Sequence, residues 1–100
     1  MKTTIREENG KAIVTFEGRL DTAAAEQVSK DVESIYEGEA RDIIIDCTEL
    51  SYISSSGLRI LLGIRKYAGR VGAKVSVVGA NEDIRSILFT TGFNNLFEIV

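Results

Sequence analysis

The segment from Ile43 to Ile64, IIIDCTELSYISSSGLRILLGI, constrains this chain more than any other part of it. A short apolar run, Ile43-Ile44-Ile45, is closed by Asp46. Apolar residues without alternation predict a strand covered on both faces. A polar connector follows and ends in Ser54-Ser55-Ser56-Gly57, and a helical apolar pattern starts at Leu58. The chain therefore passes from a buried strand through a loop into a helix whose first turn carries small hydroxyl residues. A helix N-terminus leaves backbone N–H groups unpaired and bears partial positive charge. A hydroxyl there can cap the helix, or it can be a place where phosphate is added and removed.

The flanking sequence supplies the rest of an α/β layout. Residues 3–8 and 11–17 are two strand arms joined by Asn9-Gly10, a pair that favours a tight hairpin turn. The first arm is polar and reads as a sheet edge. Residues 18–22 form a connector in which Asp21 or Thr22 can cap the next helix. Ala24, Val28, Val32 and Ile35 lie on one face of that helix, and Gly38 stops it. The second helix is expected from about Ser56 to Val71, with Leu58, Leu61, Leu62, Ile64 and Ala68 inward and Gly72 at its end. Lys74 to Val78 reads as a strand. Asn81 caps a short helix with Ile84, Ile87 and Leu88 inward, and Leu96 to Val100 reads as the last strand. The order is β-β-α-β-α-β-α-β in one domain spanning residues 1–100. It implies a mainly parallel sheet with right-handed crossovers, an antiparallel N-terminal hairpin edge and helices packed on it.

Composition removes whole classes of function. With twelve basic and fifteen acidic residues the net charge is −3, which gives no support to direct nucleic acid contact. The chain has no histidine, so histidine general bases, histidine-assisted nucleophiles and histidine metal sites are out. The single cysteine, Cys47, excludes an internal disulfide and fits a reducing cytoplasm. No histidine is at hand to activate its thiol, and Asp46 beside it opposes a thiolate, so Cys47 reads as packing. There is no signal peptide and no apolar run of roughly 20 residues to span a membrane. Gly69 to Lys74 is glycine-rich but runs from helix to strand and lacks the Gly-Lys-Ser/Thr ending of a phosphate loop, so it is a turn. No cofactor and no metal is expected.

Three constellations remain. Ser54, Ser55 and Ser56 with Gly57 are helix caps in a tight loop, a phosphoacceptor site, or both at once. Asp21 and Asp46 follow strands whose carboxyl ends gather at one end of a parallel sheet, and both border the serines on that reading. Capping and strand-end hydrogen bonding are the plainer roles for the two acids. Arg59, Lys66 and Arg70 share one helix face, which is either solvated or a docking stripe for an acidic partner.

These residues resemble a known family. GRLDTAAA (18–25), IIIDCTELSYISSSGLRILL (43–62) and KVSVVG (74–79) fall in the order of a STAS domain, and within it of the small bacterial anti-sigma factor antagonists. The most specific part is D-x-T-x-L-x-Y-I-x-S-S-G-L from Asp46 to Leu58. The resemblance implies a binding module and not an enzyme. In this family an unphosphorylated antagonist binds an anti-sigma factor that is also an ATP-dependent serine kinase, and so frees a sigma factor for transcription. Phosphorylation releases the antagonist, and a serine phosphatase resets it. Carried over by position, the phosphoacceptor is Ser55. Asp21 and Thr22 border the kinase contact, with Ser54, Ser56, Gly57, Arg59 and Lys66 around it. The position before the acceptor is usually acidic and here is Ser54, which makes Ser54 the alternative acceptor. The family pattern also continues with one helix after the last strand, beyond Val100. Two other readings follow from the same resemblance. One is an unphosphorylated regulatory subunit of a lipid-transport or stress-signalling complex. The other is a nucleotide-binding STAS protein.

Overall fold

The computed structural model describes residues 1–100. Strands β1 (Lys2–Glu8) and β2 (Lys11–Leu20) form the expected antiparallel hairpin. Its turn places Asn9 at φ 52° and Gly10 at φ 76°, the left-handed pair that a two-residue hairpin of this kind needs. Helix α1 (Thr22–Asp31) follows, then a 3-10 segment over Val32–Tyr36. After it come β3 (Ile43–Asp46), β4 (Leu50–Ile53), helix α2 (Ser55–Val71), β5 (Val75–Val78) and helix α3 (Glu82–Thr90). A 3-10 turn at Phe93–Asn95 leads into β6 (Glu98–Ile99). The six-stranded sheet has the order β1-β2-β3-β5-β6, with β4 paired to the end of β2. Every pairing except β1–β2 is parallel.

Register sets which side chains are deep. Ala12 and Val14 of β2 pair with Ile43 and Ile45, which pair with Val75 and Val77. All six are buried, and with the inner faces of the helices they belong to one apolar core. Ile44, Ser76 and Val78 point the other way and are only half-buried. The Ile43–Ile45 run therefore has one deep face and one shallow face, a correction to the strand covered on both sides.

Other boundaries also move. Leu50–Ile53 is a strand where a polar connector is expected, and β2 extends through Gly18, Arg19 and Leu20 to pair with it. Helix α1 tightens to 3-10 geometry after Asp31, and its buried face starts at Ala25 rather than Ala24. Val32 and Ile35, three apart, stay inward because residues three apart superpose in a 3-10 turn. On α2, Ile60 and Tyr67 are buried while Leu58 and Leu62 are half-buried. The last strand is shorter than Leu96 to Val100, because Phe93 and Phe97 stack at 5.5 Å and hold the preceding segment in a turn. No helix is long and apolar enough to cross a membrane.

Candidate functional site

Because β2, β4 and β5 run parallel, the helices that follow them all start at the same end of the sheet. Each start is capped in the same way. The Asp21 carboxylate accepts from the Ala24 amide at 2.9 Å, the Ser54 hydroxyl from the Gly57 amide at 3.2 Å, and the Asn81 amide oxygen from the Ile84 amide at 2.9 Å.

Strand β4 brings the first two helix starts together. The Leu20 carbonyl, one residue before the α1 cap, accepts from the Ser54 amide at 2.9 Å and from the Ser54 hydroxyl at 3.1 Å. Ser54 thus spends its one hydroxyl proton on Leu20 and an oxygen lone pair on Gly57. It is half-buried and fixed. Ser55, next in the chain, is exposed, and its hydroxyl makes no hydrogen bond within the protein. Ser56 is half-buried and turns into a groove between α1 and α2.

Gly57 allows this approach. A Cβ there would stand 2.8 Å from side-chain carbons of Ile53 and Leu20 and 3.0 Å from the Leu20 carbonyl. Helix α2 therefore starts with its backbone against the end of β2.

The remaining expected residues separate into near and far. Asp21 and Thr22 follow Leu20 directly, as the cap and first residue of α1. Arg59 is exposed, one helical turn above Ser55, and lines the groove of about 530 Å³ that Ser56 enters. The groove floor includes Ala25, Val32 and Ile60, and its other charges are Glu26 and Glu33. Lys66 is exposed further along α2, about 16 Å from Ser55 along the axis. Asp46 does not join the serines through any hydrogen bond. Its carboxylate accepts from the Thr48 amide at 3.0 Å and the Thr48 hydroxyl at 2.6 Å. That turn packs under Gly79, whose φ of 72° and contact with Thr48 leave no room for a side chain. The strand-end role is therefore the one Asp46 fills.

Sequence reasoning missed Arg19 and Tyr52. They face each other across the β2–β4 pair, with the Arg19 guanidinium 4.3 Å from the Tyr52 ring centroid. Tyr52 is 38% exposed, so an amphipathic pair lies on the strands that lead into Asp21 and Ser54. Recognising β4 as a strand is the signal that finds them.

Cys47 is fully buried, and burial, aided by the Asp46 charge, pushes its thiol from an ordinary 9.0 up to about 12. The thiol stays protonated in the folded chain, while the unfolded chain releases that proton from about pH 9. A raised acid pKa therefore contributes stability below pH 9 that is lost as the pH climbs toward 12. Raising the pH from 8 to 10 is expected to cost wild type roughly 1–2 kcal/mol more than Cys47→Ala. Urea unfolding of both proteins at the two pH values checks this, and parallel losses would refute it.

Comparison with known proteins agrees with this architecture. The STAS domain profile matches residues 2–100, and the chain belongs to that family. A STAS-domain protein of Pseudomonas aeruginosa is 32% identical over 89 residues, covering 86% of this chain and 84% of its own length. BtrV of Bordetella bronchiseptica, described as a candidate anti-sigma factor antagonist, is 27% identical over 99 residues, covering 99% of this chain and 85% of its own. Among solved structures, the anti-sigma factor antagonist SpoIIAA in its unphosphorylated form superposes with a TM-score of 0.83 at 20% identity. That match covers 99% of this chain and 88% of SpoIIAA.

Proposed function

We propose that this STAS domain is an anti-sigma factor antagonist. It docks through the paired starts of α1 and α2 on an anti-sigma factor that is also a serine kinase, and it is released when Ser55 is phosphorylated. The observation that carries the reading is the division of labour between neighbouring serines. Ser54 is committed to Leu20 and Gly57, whereas Ser55 is exposed at the same helix end with a free hydroxyl. A kinase needs a hydroxyl that can leave its surroundings and enter an active site, and Ser55 meets that need.

The helix start also suits the product. There is no acid in the first turn of α2, and the amides of Ser55 and Ser56 have no intrahelical partner, since the first helical bond runs from the Leu58 amide to the Ser54 carbonyl. Phosphate there sits in the positive end of the helix dipole. Ser54 stands where phosphorylated relatives usually carry an acid. Serine and aspartate are interchangeable as N-caps, so the helix start keeps its geometry while losing one fixed charge.

The module does no chemistry of its own in this reading. Its partners are the kinase, which supplies ATP, and a serine phosphatase that resets it in the cytoplasm. The test is incubation with the serine kinases of the source organism and Mg-ATP, followed by intact mass and phosphopeptide mapping. One phosphate on Ser55 is expected, retained in Ser54→Ala and lost in Ser55→Ala. Phosphate on Ser54 would overturn the assignment. No phosphate with any kinase would leave the unphosphorylated regulatory subunit as the better reading.

A further inference from the structure

We propose that Arg59 is the built-in counter-ion for a phosphate on Ser55, and that capturing this phosphate withdraws the one cation that lines the groove between α1 and α2. The proposal rests on Ser55 as the phosphoacceptor and adds to it a second consequence of modification, at a surface the phosphate does not itself occupy.

The placement follows from α2. Ser55 and Arg59 are four residues apart on that helix, so their Cβ atoms lie about 5–6 Å apart on one face. Both are exposed. An acid N-terminal to a base at this spacing is the favoured orientation, because helical side chains lean toward the N-terminus. Arg59 is also free to respond. The protein's one ion pair joins Arg6 to Glu8, and Arg59 makes no side-chain hydrogen bond. The other cations of α1, α2 and the strands before them are occupied or far from Ser55, and Arg70, which acts on Tyr36 at the far end of the groove, lies fifteen residues along α2 from Ser55. The Arg19 guanidinium lies over Tyr52, and Arg65 donates to the Leu96 carbonyl at 2.7 Å. Lys66 lies a further 10 Å or so up the helix from Arg59.

Without phosphate, Arg59 faces Glu26 and Glu33 across the groove, where the side chains carry one positive and two negative charges. Neither carboxylate holds it by a hydrogen bond. A phosphoserine brings about −1.5 to −2 charges and three acceptor oxygens, which a guanidinium can meet with two parallel N–H bonds. Arg59 then turns toward the start of α2, and Glu26 and Glu33 are left as the only charges lining the groove. Asp21, the other acid at this end, keeps its bond to Ala24 and adds to the negative field. One modification thus changes two surfaces, the exposed helix start and the groove beside it.

The test uses the full chain with phosphoserine installed at position 55 by genetic encoding, so no kinase is needed. Phosphorus NMR follows the second ionisation of the phosphate against pH. In Arg59→Gln its midpoint is expected about 0.15–0.4 unit higher than in wild type, since a partner that favours the dianion has been lost. Lys66→Gln is expected to leave it unchanged. The Glu26 and Glu33 carboxyl carbons are expected to shift when Ser55 carries phosphate, and to shift less in Arg59→Gln. Equal midpoints in wild type and Arg59→Gln would overturn the proposal, as would an equal change from Lys66→Gln. Arg59 is exposed, so its replacement leaves the fold intact. Because the phosphate is installed and not enzymatic, a Ser55 that no kinase modifies would refute the functional reading and leave this result standing.

Discussion

Ser55→Glu is expected to bind the anti-sigma partner about 100-fold more weakly than wild type while melting at the same temperature or slightly higher. The two effects diverge because they act on different surroundings. In the free protein residue 55 is exposed at the positive end of α2, where an acid contributes about 0.3–1 kcal/mol of stabilisation. In a docked complex the same carboxylate must give up water and meet whatever acids the partner presents. Truncating or mispairing a buried interface charge costs about 2–5 kcal/mol, and each 1.4 kcal/mol is about tenfold in affinity. Titration calorimetry with the cognate partner and a thermal melt of the free proteins check both halves. Ser55→Ala is expected to bind like wild type, since its hydroxyl makes no bond to lose. Equal affinity of Ser55→Glu and wild type would sink the switching mechanism.

The elements with their own periodicity were legible in the sequence. Helix α2, the hairpin and β5 fall where spacing puts them. The misses share a physical cause. Leu50-Ser51-Tyr52-Ile53 buries only its two end residues, so it shows neither alternation nor an apolar run. It is a strand because Gly18, Arg19 and Leu20, more than thirty residues earlier, offer it a ladder, and no local window contains that information. The Ala23-Ala24-Ala25 run was ambiguous for a different reason. Three equal side chains carry no phase, so the inward one is fixed only by Val28 and Val32 packing beyond them. Tyr67 is absent from the expected inward face of α2, yet its ring packs 4.8 Å from Tyr36 and is buried.

The same limit applies at the site. That serines cap α2 was legible from the loop, since hydroxyls before an apolar helical run are what a helix start requires. Which serine does so was not. The choice depends on the Leu20 carbonyl lying within 3.1 Å of the Ser54 hydroxyl, a contact across 34 positions of chain. The pairing of Arg19 with Tyr52 depends on the same unseen strand. Asp46 shows the reverse case. Its partner Thr48 is two residues away, and the plain strand-end role read from its place after Ile43-Ile44-Ile45 is the one it fills.

Gly57→Ala and Gly63→Ala, six residues apart on one helix, are expected to change stability in opposite directions. Both replacements raise helix propensity, by roughly 0.5–1 kcal/mol in an exposed interior. At Gly63 the new methyl meets only the Tyr36 hydroxyl, at 3.7 Å, an ordinary contact, so the gain is kept. At Gly57 it arrives 2.8 Å from carbons of Ile53 and Leu20, both buried, and 3.0 Å from the carbonyl that holds Ser54. None of these is the loose end of a flexible side chain. Overpacking of this kind costs about 1–3 kcal/mol, and relieving it requires α2 to move off β2 and stretch the Ser54 bonds. The net effect expected is a loss of roughly 2 kcal/mol, or about 8–15 °C in Tm for a domain of this size. Gly63→Ala is expected to gain a few degrees. The pair separates a general property of helical glycines from a specific close approach. If Gly57→Ala melts as high as Gly63→Ala, α2 does not start against the end of β2, and the fixed Ser54 beside a free Ser55 loses its structural basis.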